Sequence, residues 1–472
     1  MSKAYTLIVD QGTHATRAFA FDEESRIRIS AYVPVALDRL SADKIEQDAV
    51  EIVNSMHQVV QSVLADETVR RHGVAQAGVA TQRSSVVAWD RKSGEPLAPM
   101  LSWQDRRAAG WLSQFDDQAQ AIKARTGLPL SPHYGASKLR WLLDNVPAVQ
   151  EARQEGRLAF GPLASFLLFH LLREQPLLVD HANAARTQLW HIDSRDWDPW
   201  LLDLFGVPRS PLPECCPIVS EYGVMQAADI AVTAVNGDQN AAVYSLGQPK
   251  PGTAIVNLGT GAFVLMPTGG ERVRHPQLLS GLASSDAQAG DYTIEGTVNG
   301  AGAALSWAAE QWGIGDVQQN LDDWLQRPSV PPIFLNSIGG LGSPFWRPGP
   351  KPAIVGEGEP WQRMVAVAES ILFLLQANLE AMRAAGLTTE RIQISGGLAR
   401  SDALCQRLAD LTGTVVYRPM ETEATARGAA WLAAGRPSYW PELEPGKQFE
   451  PRPDSALADR YQQFRRAIEI TD

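Results

Sequence analysis

Residues 5–21, Tyr5-Thr-Leu-Ile-Val-Asp10-Gln-Gly-Thr-His-Ala-Thr-Arg17-Ala-Phe-Ala-Phe21, set two apolar runs on either side of a Gly-Thr pair. Residues 5–10 read as a strand, 11–14 as a turn and 16–21 as a returning strand, which together make a β-hairpin. Residues 253–266, Thr-Ala-Ile-Val-Asn-Leu-Gly-Thr-Gly-Ala-Phe-Val-Leu-Met, repeat residues 6–19, and Gly12-Thr13 falls on Gly259-Thr260 at an offset of 247. One Gly-Thr turn is common in any protein. Two in matched apolar strands, about half a chain apart, point to an ancient domain duplication. Gly247-Gln-Pro-Lys-Pro-Gly252 interrupts the pattern as a linker would. The expected domains are therefore 1–246 and 247–472.

The chain has 472 residues, too many for one ordinary core, so two or three domains are expected. With 44% hydrophobic and 20% charged residues it has the composition of a globular protein. A net charge of -11 gives no general attraction for nucleic acid or an anionic membrane surface, so neither is an expected partner. Any phosphate must be held by local groups. Of the three cysteines, Cys215 and Cys216 are adjacent, which offers neither a disulfide framework nor metal-ligand spacing. A reducing, cytoplasmic setting is expected. The start, Met1-Ser-Lys-Ala-Tyr5, lacks the marks of a secretory signal, and no run approaches the roughly 20 apolar residues of a membrane span.

Strand-like and helix-like runs alternate through both halves. Residues 77–80 and 86–89 read as strands, and 45–64, 137–144 and 363–384 as amphipathic helices. A Pro- and Glu-rich stretch after Gly435 leads to a terminal helix at 455–469. The fold class is α/β, with helices laid over sheets.

Several of these turns could carry chemistry. A Gly-Thr turn presents backbone N–H groups and a hydroxyl to an anion, and Gly12 has no Cβ to block the approach. Thr13, Thr16 and Arg17 add donors, and Asp10 could hold Mg²⁺ directly or through water. Alone, the segment reads equally as a plain hairpin with a capping Asp. Asn257 replaces Asp10 in the second copy, which implies an asymmetric site in which Gly259, Thr260 and Gly261 grip distal phosphates. A third Gly-rich turn, Ser395-Gly396-Gly397, precedes a helix-like run from 402 to 411 and could seat a nucleotide. Val235-Asn-Gly-Asp238-Gln239-Asn places a carboxylate in a polar turn, where it could take the proton of an attacking hydroxyl. No Gly-x-x-x-x-Gly-Lys-[Ser/Thr] loop is present, which excludes a P-loop NTPase.

Taken together, the motifs resemble the FGGY family of carbohydrate kinases, and most closely its glycerol kinase branch. The resemblance runs from Asp10 to Leu432. It rests on Asp10-Gln-Gly-Thr-His-Ala-Thr-Arg17, Gln82-Arg83, Ser102-Trp-Gln-Asp-Arg-Arg107, Thr126-Gly-Leu with Lys138 and Trp141, and Asn183-Ala-Ala-Arg-Thr187. It continues through Gly237-Asp-Gln239, Leu258-Gly-Thr-Gly-Ala-Phe263, Gly340-Leu-Gly-Ser-Pro-Phe-Trp346, Ser395-Gly-Gly397 and Thr425-Ala-Arg-Gly-Ala-Ala430. It implies two actin-like (ribonuclease-H-like) domains around a nucleotide cleft, ATP and Mg²⁺ as cofactors, and transfer of the γ-phosphoryl group to a hydroxyl of a small polyol or sugar. By matched position, Asp238 would be the general base and Asp10 the metal carboxylate. Gly12, Thr13, Arg17, Gly259, Thr260 and Gly261 would hold phosphates, and Gly396 and Gly397 would lie against the nucleotide. Arg83, Ser84, Trp103, His133, Asp238, Gln239 and Phe263 would border the acceptor. A homodimer is compatible with this reading.

The departures from the family fall in the acceptor set. Glycerol kinases follow the Gln-Arg pair with Glu, where this chain has Ser84, and carry Tyr where it has His133. His14 stands where the family usually has Ser or Thr. Loss of the carboxylate removes a bidentate grip, so a longer polyol or a ketose stands beside glycerol as acceptor. Two other classes compete: an actin-like ATPase that drives partner binding, and a ligand sensor without transfer. The acceptor-side set argues against the first, and retention of both Asp10 and Asp238 against the second.

Overall fold

The computed structural model describes residues 4–470. It divides into two compact units. Among the described residues, unit 1 comprises 4–249, 281–292 and 423–443, and unit 2 comprises 250–280, 293–422 and 444–470.

In unit 1, six strands lie side by side in the order Val219–Val224, Ala231–Gly237, Val74–Thr81, Tyr5–Gln11, Ala15–Phe21 and Ile27–Pro34. The hairpin read at 5–21 is present and antiparallel, with Asp10 opposite Arg17. Tyr5–Gln11 runs parallel to Val74–Thr81, which runs parallel to Ala231–Gly237. The helix Ala49–Ala65 covers this sheet, burying Ile52, Met56, Val59 and Val63 at 3- and 4-residue spacing. The apolar periodicity suggested a start at 45, but Ile45–Gln47 forms a short strand and Asp48 caps the helix, accepting from the N–H groups of Val50 and Glu51. Met56 is fully buried, so Met56→Ala should cost about 2–5 kcal/mol.

In unit 2 the strands Ala262–Gly269, Thr253–Leu258, Arg391–Ser395, Val415–Arg418 and Lys447–Phe449 are adjacent in that order. Thr253–Leu258 is antiparallel to its hairpin partner and parallel to Arg391–Ser395, which is parallel to Val415–Arg418. The pairing pattern of unit 1 thus recurs, as the repeated sequence leads one to expect. The second turn is one residue tighter: Gln11 pairs with Thr16, whereas Leu258 pairs with Ala262. The core of unit 2 forms around the helix Pro360–Ala384, which buries Val365, Ile371, Leu372 and Leu375. This helix is long and apolar enough to cross a membrane, yet 89% of its most apolar window is buried in the protein.

Candidate active site

Three parallel strands of unit 1 end in step: Asp10 lies opposite Ala80, and Ala80 opposite Asn236. The carboxyl edge of a parallel sheet is where open α/β folds place ligands. Both candidate carboxylates stand there, Asp10 near the end of its strand and Asp238 just past Gly237.

Asp10 is 1% exposed and has Arg17 for a partner, because the hairpin register sets the two across from each other. Arg17 Nη2 donates to Asp10 Oδ2 at 2.6 Å, and Nη1 donates to Glu423 Oε2 at 2.6 Å. Burial pushes the Asp10 pKa up to about 6 against the pull of Arg17, and the charges of Asp238 and Glu423 add to the rise. The cluster is short of positive charge. A cation would relieve it.

Asp238 opens the helix Asp238–Ala242, so the expected polar turn is the first turn of a helix. Its side chain is 32% exposed, and its Oδ1 lies 3.7 Å from Arg83 Nε and accepts from the Gln239 backbone N–H at 2.7 Å. Burial raises its pKa, opposed first by Arg83. Arg83 is fixed in turn: it donates to Asn240 Oδ1 at 2.8 Å and to Gln239 Oε1. A Cβ on Gly237 would come within 2.6 Å of Arg83 Cδ, so glycine there lets the arginine lie flat against the strand end. The motif around Thr425 supports the same helix. Thr425 Oγ1 donates to the Asp238 carbonyl at 3.2 Å, and a Cβ on Gly428 would stand 1.8 Å from the Ala241 carbonyl oxygen. Arg427, buried beneath, donates to the carbonyls of Ser245 and Ser25. Thr425-Ala-Arg-Gly428 is thus the support on which the carboxylate rests.

Beside the first Gly-Thr turn, the Trp103 indole N–H donates to Thr13 Oγ1 at 3.0 Å, tying that residue to the turn. His133 packs edge-on to Trp103 with ring centroids 5.6 Å apart. Burial, with Arg106, Lys138 and other cations, holds the His133 pKa well below its ordinary value, so it is neutral at pH 7. Its loop is gripped by the buried Lys138, whose Nζ donates to the carbonyls of Pro132 at 2.9 Å, His133 at 2.5 Å and Tyr134 at 3.4 Å. Ser84 is 3% exposed, and its hydroxyl has no hydrogen-bond partner. Its backbone is left-handed, with φ +66°, which strains a non-glycine residue by roughly 1–2 kcal/mol. Position 84 therefore presents an enclosed, unpartnered hydroxyl and no carboxylate.

Unit 2 holds the other glycine turns. The carbonyls of Gly259 and Thr260 accept from the N–H groups of Gly302, Ala301 and Ala303, so the start of the helix Gly302–Trp312 closes onto the turn. Thr260 is exposed. Gly396 lies against the same strand end: its φ is +97°, and a Cβ would stand 2.5 Å from the Leu258 carbonyl oxygen. At Gly397 a Cβ would meet nothing within 4 Å. Gly396→Ala is therefore expected to destabilise the protein by about 2–5 kcal/mol through strain and overlap, whereas Gly397→Ala should leave the melting temperature unchanged. Thermal denaturation of the two variants checks this. Phe263 lies on the strand Ala262–Gly269 of unit 2, opposite Asn257.

Unit 1 thus brings together Asp10, Gly12, Thr13, Arg17, Arg83, Ser84, Trp103, His133, Asp238 and Gln239, and unit 2 groups Gly259, Thr260 and Gly261 with Gly396. Glu423 and Asn240 also belong to the first group and were given no role from sequence, and Gly237, read there as part of a motif, makes room for Arg83. Only the position of Glu423, two residues ahead of the Thr425 motif, could have drawn notice to it.

A mixed α/β chain with carboxylates at the edge of one sheet and glycine turns in a duplicate sheet has the form of a sugar or polyol kinase. The N-terminal domain of the FGGY family of carbohydrate kinases matches residues 5–243, and its C-terminal domain residues 254–435. The glycerol kinase of Brucella ovis is 34% identical over 457 residues, covering 93% of this chain and 91% of that protein. That of Agrobacterium fabrum is 33% identical over 477 residues, covering 98% and 93%. Two solved structures share the fold over 99% of both chains. They are Plasmodium falciparum glycerol kinase with ADP (TM-score 0.91, 24% identity) and ligand-bound xylulose kinase from Lactobacillus acidophilus (0.86, 20%). The chain belongs to the FGGY family of carbohydrate kinases, and its fold is the pair of actin-like domains of that family. It is an ATP-dependent kinase acting on a hydroxyl of a small polyol or sugar.

Proposed function

We propose that this kinase uses Asp238 as general base on an acceptor longer than glycerol, either a polyol or a ketose. The observation that carries the first part is a partly open carboxylate at the sheet edge, fixed by Arg83 and by its own helix. The acceptor hydroxyl attacks the γ-phosphorus, the new O–P bond forms as the bond to the β–γ bridging oxygen breaks, and ADP departs. Asp238 takes the hydroxyl proton, and Arg83 keeps that carboxylate ionised until it does. Gly12, Thr13 and Arg17, together with Gly259, Thr260, Gly261, Gly396 and Gly397, are the groups we assign to ATP. The donor set suits Mg²⁺ entering with the nucleotide: Asp10 is a buried carboxylate raised to about 6 by burial and by the charges of Asp238 and Glu423, a site that gains from a cation. Among the described residues no three His, Cys, Asp or Glu side chains converge on one point. That fits an ion held by one carboxylate, water and phosphate oxygens, where it would neutralise charge on the β- and γ-phosphates. The three thiols, none in a disulfide, suit a cytoplasmic enzyme.

The acceptor assignment rests on Ser84 and His133. A carboxylate hydrogen-bonded to a substrate hydroxyl contributes about 1.5–3 kcal/mol, so its absence should cost glycerol roughly tenfold to a hundredfold in kcat/KM. A longer acceptor recovers this through added contacts. Glycerol itself is the second reading, favoured by the names of the relatives at 34% and 33% identity. Measuring kcat/KM for glycerol, erythritol, pentitols and ketopentoses in the wild type and in Ser84→Glu separates the two. A wild type that prefers a longer acceptor, with a shift toward glycerol in the variant, is the expected result. Ordinary kinase efficiency on glycerol in the wild type would show that this enzyme phosphorylates glycerol with different ligands.

A further inference from the structure

A cavity of about 640 Å³ in unit 1 shares no residue with the site described above. Three arginines line it, Arg91, Arg195 and Arg209, with Asp196 and Glu214 as its only carboxylates. Elsewhere in the unit, arginines sit on carboxylates: Arg17 on Asp10, Arg107 on Asp105, Arg125 on Asp198 and Arg157 on Asp90. Among the described residues none of the three cavity arginines forms an ion pair, although two carboxylates share the wall with them. Arg209 donates one N–H to the Leu212 carbonyl at 3.1 Å. Arg195 has a left-handed backbone, φ +58°, and its Nη1 is enclosed without a hydrogen-bond partner. Such an N–H lacks the partner that buried donors ordinarily have. The fold thus gathers three guanidinium groups around one hollow against two carboxylates, neither of which is ion-paired with them.

The chemistry that answers this arrangement is a compact anion rich in acceptor oxygens. Arginine forks match phosphate geometry, and Ser194 and Ser210 on the same wall add neutral donors. The Cys215 thiol, kept protonated by burial and by Asp196, adds no negative charge. The volume is that of a small-molecule site. We infer that this cavity is a second anion site, which binds the phosphate group of a small phosphorylated metabolite or free phosphate independently of the nucleotide.

The test uses the full chain saturated with ADP, so that nucleotide turns are occupied, and titrates it calorimetrically with inorganic phosphate and with glucose 6-phosphate. Wild type should bind at least one of them under ADP; tighter binding of the ester identifies a phosphorylated metabolite, and equal binding identifies free phosphate. Arg91→Gln and Arg209→Gln, both at exposed positions, should each weaken that binding roughly tenfold to a hundredfold, the scale of a charged hydrogen bond. Arg173→Gln, which removes an ion pair with Asp229 outside the cavity, should leave it unchanged. Absence of binding under ADP, or binding that survives both cavity substitutions, would overturn the inference.

Discussion

Asp238→Asn is expected to lower kcat by roughly 100-fold or more while ATP still binds, because the change removes the proposed proton acceptor and little else. Asn keeps the volume of Asp, and its amide oxygen can still accept from the Gln239 N–H that Asp238 Oδ1 accepts now. Arg83 retains Asn240 and Gln239, so the helix start should hold its place. KM for ATP should therefore change little while the chemical step fails. Near-normal turnover in this variant would remove Asp238 from the mechanism. If kcat and nucleotide affinity instead fall together with the melting temperature, the residue is structural.

Asp10→Asn should divide activity from stability. The folded-state pKa of Asp10, about 6 against an ordinary 3.8, means that the native protein holds this proton more tightly than the unfolded chain does. The ionised carboxylate then costs stability at all pH values above about 6, on the order of 3 kcal/mol, and the cost is relieved as pH falls through 6 toward 3.8. Asn cannot ionise, and Arg17 keeps Glu423 as a partner. At neutral pH without nucleotide the variant should be more stable by about 1–3 kcal/mol, yet lose roughly 10²–10³-fold in kcat, the scale of removing one fixed electrostatic group. The wild type should also show an acid limb in kcat/KM near pH 6, reporting Asp10, and the variant should displace it. A variant that is both less stable and fully active would contradict the assignment.

Much of this site is local in sequence and was legible there. An apolar run, a Gly-Thr pair and a second apolar run form a hairpin wherever they occur, and the register then places Arg17 across from Asp10 without distant help. What escaped depends on contacts far apart in the chain. Asp238 reads as a turn residue because Asn-Gly-Asp-Gln is turn-like, but it starts a helix that lies directly beneath Gly428, 190 residues later. Glu423 joins Arg17 across 406 positions, with only its place ahead of the Thr425 motif to announce it. The repeat was visible, but the tighter second turn was not. That one-residue difference puts Phe263, rather than the counterpart of Arg17, opposite Asn257. The left-handed backbone of Ser84 likewise has no signature in a run of Arg-Ser-Ser-Val.

The proposed carboxylate pair of unit 1 transfers phosphoryl from ATP to a hydroxyl. The direct measurement is to incubate purified protein with γ-labelled ATP and Mg²⁺, with and without the panel of polyols and ketoses, and to follow where the label goes. Label should appear in an acid-stable phosphate ester only when an acceptor is present, and should fail to appear with Asp238→Asn. Release of label as free phosphate at the same rate with and without every acceptor would contradict the account and identify an ATPase.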